Sequence, residues 1–152
     1  MSLIPFVITK NFMVLEDGES PILLIKAGGV NVPLHLNTCE ANTIMAQWVN
    51  GELIDSSPYY LLGKMFSLFD ISLTRIAITE IRNGNPITYL FLRREDEDIA
   101  LLVHYGVAIS LATAFDVPML IEERVVIDAT KSKGTQQFLS DIETLNPEVL
   151  ES

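Results

Sequence analysis

The chain carries two histidines, His35 and His104, and the first stands shortly before the acidic residue Glu40. An imidazole beside a carboxylate can move protons, and two imidazoles with one carboxylate can hold a divalent ion. Brought together, His35, Glu40 and His104 would make such a site. Each also has a plain structural role open to it. Glu40 follows Asn37 by the spacing of a helix capping box. His35 alternates out of phase with Val32, Leu34 and Leu36, so it lines a groove or faces solvent from a strand. His104, directly ahead of Tyr105-Gly106, could contact an anion or hydrogen-bond a backbone carbonyl. No spacing in the sequence ties His104 to the other two.

Other chemical templates fail. There is no Gly-x-Ser-x-Gly elbow, no Walker-type Gly-Lys-Ser, no pair of cysteines and no His-Glu-x-x-His. Gly28-Gly29 lacks the following helix that a phosphate loop needs. Cys39 has no basic neighbour in the sequence to mark it as a reactive thiol. The run Glu95-Asp96-Glu97-Asp98 reads as a solvated loop rather than a cation loop. Tyr59, Tyr60, Tyr89 and Phe91 lack the basic neighbours of a base-stacking platform, so they read as core or interface packing.

The elements that must position these residues follow from periodicity. Phe6 to Leu15 is an apolar, β-branched strand closed by Asp17-Gly18. Ile22 to Lys26 follows as a second, and Gly28-Gly29 turns the chain into a third carrying Val32, Leu34 and Leu36. Asn37 then caps a helix whose apolar face is Ala41, Ile44, Met45, Trp48 and Val49, left through Asn50-Gly51. Ser57-Pro58 starts a second helix with a buried stripe of Leu61, Leu62, Met65, Phe66 and Phe69. Ser72 to Arg82, carrying Leu73, Ile76, Ile78 and Ile81, and Ile87 to Arg94 form a hairpin about Asn83-Gly84-Asn85-Pro86. Ile99 to Val103 reads as a short buried strand, and Val107 to Phe115 as a helix covered on most sides. Val117 to Ile121 is a last strand, and Glu122-Glu123-Arg124 begins a turn. Lys131 to Gly134 reads as a linker, and Thr135 caps a final amphipathic helix with Phe138, Leu139, Ile142 and Leu145 on one face. The expectation is one α+β domain over residues 1–128, followed by a linker and C-terminal helix over 129–152.

Composition bounds the function. Twenty acids against ten bases leave a net charge of −10, and Arg93-Arg94 is the only basic pair. That balance counts against tight, non-specific nucleic-acid binding. Hydrophobic residues make up 49% and the mean hydropathy is +0.33. No apolar run reaches the roughly 18 residues of a membrane span. The apolar surplus instead suggests a subunit interface, so a homo-oligomer is expected, with a dimer as the simplest closed form. A single cysteine and no export signal suit a reducing, cytoplasmic setting.

Two stretches carry a family resemblance. Val32-Pro-Leu-His-Leu-Asn-Thr-Cys-Glu40-Ala-Asn-Thr-Ile-Met-Ala46 resembles the Leu-Pro-Ile-x-Ile-x-x-x-Glu-Ala-x-x-Ile segment of the bifunctional nuclease family. Leu101 to Val125 resembles that family's strand, helix and Pro-Ile-x-Val-x-x-x-Val ending, with Pro118-Met-Leu-Ile on the closing strand. The likeness spans about residues 6 to 126. It implies a mixed, mainly antiparallel sheet with flanking helices, oligomeric assembly, and cleavage of DNA and RNA. The chain departs where the family places charge. Leu102-Val-His104-Tyr-Gly-Val107 stands for Asp-x-Arg-Pro-Ser-Asp, and Pro58-Tyr59-Tyr60 for Thr-His-Asp. Of the polar signature Glu40 persists. Metal-assisted hydrolysis needs carboxylates for the ion and a base for the water, and Leu102 and Val107 supply neither. The resemblance therefore points to a divergent member with lost or weak nuclease chemistry, acting as an oligomeric binding module. The alternative is a retained nuclease working through Glu40 with His35 or His104, and only that reading calls for a divalent metal.

Overall fold

The computed structural model describes residues 2–14, 21–50 and 57–131. Seven strands and four helices follow in the order β1 (Leu3–Val14), β2 (Ile22–Ala27), β3 (Val30–His35), α1 (Thr38–Asn50), α2 (Pro58–Leu68), β4 (Ser72–Arg82), β5 (Asn85–Arg94), β6 (Glu97–Val103), α3 (Tyr105–Phe115), β7 (Met119–Glu122) and α4 (Glu123–Thr130). The strands make one sheet in the order β3-β2-β1-β7-β4-β5-β6. Every pairing is antiparallel except β4 with β7. This is the expected α+β architecture with a mixed, mainly antiparallel sheet.

Local chemistry sets most of these elements. Gly28 and Gly29 both take positive φ between β2 and β3, as do Asn83 and Gly84 between β4 and β5. Paired left-handed residues give the tight turn whose twist matches a hairpin. The side chain of Ser57 accepts the Tyr59 N–H at 3.2 Å, and Pro58 opens α2 where a missing N–H costs nothing. Asp116 stops α3 in the left-handed conformation.

The sheet is joined into one body by distant pieces. α3 leaves β6 at one edge and returns the chain as β7, inserted between β1 and β4. The start of β1 is held to this strand through Leu3, Ile4 and Pro5. The core is filled by Leu23, Ile25, Ile44, Ile76, Ile78, Ile109, Leu111 and Ile121, all essentially inaccessible. α3 packs on α1, β4 and β5, α2 leans on α3, and α4 lies over β3, β4 and β7. Gly63 lets α2 come close to α3, since a Cβ there would stand 2.6 Å from the Phe115 ring.

Four expectations are corrected. Ile99 to Val103 lies within β6, but that strand is mostly exposed rather than buried, because among the described residues it forms the end of the sheet. The acidic run is only half loop: Glu95-Asp96 turns the chain while Glu97 and Asp98 already pair with Arg94 and Arg93. Glu122-Glu123-Arg124 does not begin a turn; α4 starts at Glu123 and buries Val125 and Val126. The stripe on the second helix is mostly uncovered, with Leu61 at 61% exposure and Met65 and Phe69 also exposed; Leu68, which ends α2 outside that stripe, is 78% exposed. Met45 and Ile81, also expected on buried faces, are exposed too. The turn at Asp17-Gly18, the helix exit at Gly51 and the C-terminal helix after Thr135 lie outside the described residues.

Candidate functional site

Three chain segments meet where α1 and α3 begin. β3 ends at His35 and Asn37 caps α1, so Glu40 falls in the first helical turn. The box closes in both directions: Asn37 Oδ1 accepts the Glu40 N–H at 2.8 Å, and Glu40 Oε1 accepts the Asn37 N–H at 2.9 Å. This reciprocity satisfies two amides that a helix start leaves without partners. It also points the carboxylate inward, where its side chain is only 2% exposed.

The second wall is the start of α3. His104 is its N-cap, with extended backbone angles, and its Nδ1 accepts the Gly106 N–H at 3.1 Å. The same Nδ1 stands 3.3 Å from Glu40 Oε2. One nitrogen cannot accept from the amide and donate to the carboxylate together. The amide contact is the shorter and fits the cap, so it describes the neutral imidazole, whose proton then sits on Nε2. A protonated imidazole would instead turn an Nδ1–H on Glu40 and release the Gly106 amide. The ring itself is 56% exposed and lies beside that of Tyr105, with centroids 4.3 Å apart.

Gly106 makes this proximity possible. A Cβ at that position would lie 2.2 Å from the carboxyl carbon and Oε2 of Glu40. Only a residue without a side chain lets the first turn of α3 close over the buried acid. The positive ends of two helices therefore face one carboxylate.

Two tyrosines complete the junction. The Tyr105 hydroxyl donates to the backbone carbonyl of His35, tying α3 to the end of β3. Burial pushes its phenol above the usual 10.0, the Glu40 charge adds to the rise, and the bond to His35 opposes it. Burial likewise raises the Tyr59 phenol; hydrogen bonding with Ser110 lowers it, while Glu40 and then Cys39 raise it. Ser110 is fully buried and donates to Gly106 O at 2.7 Å.

The structure thus brings Glu40 and His104 into contact, whereas His35 contributes its carbonyl rather than its imidazole. Tyr59, Tyr105, Ser110 and Gly106 belong to the same junction and carry no sequence motif. A glycine in the first turn of an otherwise apolar helix was the one available signal.

A divalent metal, which the resemblance implies for a working nuclease, does not fit these residues. Such an ion asks for several oxygen ligands at short range. Glu40 Oε1 is engaged by the Asn37 amide, its other oxygen faces His104, and Gly106 backs the carboxyl group. Among the described residues, no group of three or more His, Cys, Asp or Glu side chains could hold a metal ion. Among the same residues, no helix is long and apolar enough to cross a membrane.

A comparison with curated proteins gives no match. Residues 22–133, from β2 to just beyond α4, match the model of the bifunctional nuclease domain, and this span contains both the capping box at Glu40 and the start of α3 at His104. The order of elements, the mixed sheet and that match agree, and the chain belongs to the bifunctional nuclease domain family.

Proposed function

We propose that this domain is a self-associating binding module in which metal-assisted phosphodiester cleavage is lost or much reduced. The observation that carries the reading is the engagement of Glu40. Its carboxylate is buried, bonded to the Asn37 amide and pressed against Gly106, so it stabilises two helix starts instead of presenting oxygens to an ion. The positions where the family resemblance leads one to expect further acids hold Leu102 and Val107. Self-association draws support from the uncovered apolar side chains on α2 and β6.

The test is direct. Purified protein incubated with single-stranded DNA or RNA, with and without magnesium or manganese, should leave both intact. Metal-dependent cleavage that disappears in Glu40→Gln, with the fold retained by circular dichroism, would overturn the reading. The alternative, a retained nuclease, keeps one contact in its favour: the 3.3 Å approach of the exposed His104 ring to Glu40. It requires the same cleavage to fall in His104→Ala.

A further inference from the structure

β6 ends the sheet, and among the described residues no strand pairs with its outer side. A free edge presents unpaired N–H and C=O groups, and proteins normally blunt it with proline, inward charges or a covering helix. The opposite edge follows that rule: β3 contains Pro33 and lies beneath α4. β6 does not. Its charges are confined to Glu97 and Asp98, and Ile99, Leu101 and Leu102 are 41%, 47% and 59% exposed. Cross-strand partners share a face, so Ile99 and Leu101, opposite Leu92 and Leu90, lie on the side that α3 covers further in. Leu102 lies on the other side, opposite Tyr89. Among the described residues, this end strand thus presents apolar side chains to solvent on both of its faces.

We propose that two copies of this chain join through β6, antiparallel about a two-fold axis at Ala100, extending the sheet across both subunits. Charge selects this arrangement on a chain of net charge −10. A parallel alignment would set Glu97 and Asp98 against their own copies, and like charges directly opposite destabilise a sheet. The antiparallel register centred on Ala100 sets Glu97 against Val103, Asp98 against Leu102, and Ile99 against Leu101. The acids then move to the two ends of the seam. Ile99 and Leu101 of both copies meet at its centre, beside the same face as Leu90 and Leu92. Such an isologous contact closes on itself and cannot propagate into fibres. The inference rests on the reading that the chain self-associates, and it names where.

Two measurements test it. Light scattering at micromolar concentration should give a dimer for the wild type. The double variant Leu101→Lys/Leu102→Lys, altered only at exposed positions, should weaken association by roughly a hundredfold or more while melting as the wild type does. Leu68→Lys on α2 should leave the dimer intact. In a Cys39→Ser background, Ala100→Cys should form a covalent dimer on oxidation or with a short bismaleimide, since it faces its own copy. Asp98→Cys, set opposite Leu102, should not. A wild-type monomer overturns both this inference and the self-association reading. A wild-type oligomer that Leu68→Lys disperses, while the β6 variant persists and Ala100→Cys fails to cross-link, overturns the β6 seam alone.

Discussion

The stretch from Glu97 to Gly106 passes through two opposite environments. Its first part, β6, has apolar side chains in the open and, among the described residues, an outer backbone edge that no strand pairs with. Its last part, from His104 to Gly106, is so crowded that the absence of one Cβ decides the packing. At the junction polar groups pair within the chain: Asn37 with Glu40, His104 with the Gly106 amide, Tyr105 with the His35 carbonyl. Position in the family pattern makes the junction look like the place for chemistry, yet its groups are the ones already engaged.

The contrast breaks hardest at Gly106. Gly106→Ala should destabilise the domain by about 3 kcal/mol, combining overpacking with loss of the capping box as Glu40 is driven out. In a Glu40→Ala background the obstacle is gone. There Gly106→Ala should be neutral or stabilising by up to about 1 kcal/mol, because alanine is the better helix former. Urea unfolding of the four proteins in this double-mutant cycle measures the coupling. Simple additivity would show that the carboxylate does not occupy the space the structure gives it.

Glu40 separates structure from chemistry at the next level. Glu40→Ala removes both the box and the buried volume and should cost about 2 kcal/mol. Glu40→Gln keeps an oxygen for the Asn37 amide and should cost about half as much, as glutamine serves in the same box. If the two variants are equally unstable, the cap is not what Glu40 contributes.

The tyrosines give the junction a pH signature. Both phenols are raised above 10.0 in the folded chain, chiefly by burial and in part by Glu40. The folded state therefore holds these protons more tightly than the unfolded one. Their contribution is complete below about pH 10 and is lost as the pH climbs through the folded values. Urea midpoints should fall on the alkaline side, and Tyr59→Phe should flatten that fall. An unchanged alkaline slope in the variant would place Tyr59 outside the buried pair.

The parts of this fold legible in the sequence are those written in consecutive residues. Asn37 with Glu40, Ser57 with Pro58, Gly28-Gly29 and Asn83-Gly84 are local devices, and each appears where it was expected. Periodicity identified the apolar residues of α2 and β6, but it cannot say whether a partner covers them. Leu61 and Leu102 read as buried residues in sequence and are among the exposed large hydrophobic side chains of the described residues. α4 was hidden because its start is charged and its buried part is little more than Val125-Val126. The insertion of β7 between β1 and β4, and the meeting of His104 with Glu40, depend on residues far apart in the chain and leave no local trace.

His104 and Leu102, two positions apart, supply the finest division between the regions. His104→Ala removes the acceptor for the Gly106 amide and should cost about 1 kcal/mol, the ordinary worth of an N-cap. His104→Asn, which can cap in the same way, should recover most of it. Leu102→Thr changes an exposed side chain on the free strand and should move subunit stability by no more than about 0.5 kcal/mol. If two copies pair through β6 as proposed, its effect falls on association, so dilution should expose it while unfolding of the monomer does not. The order His104→Ala, then His104→Asn, then Leu102→Thr in monomer stability follows from which side of Val103 each residue occupies. A larger loss at Leu102 than at His104 would mean that the end of β6 belongs to the subunit core.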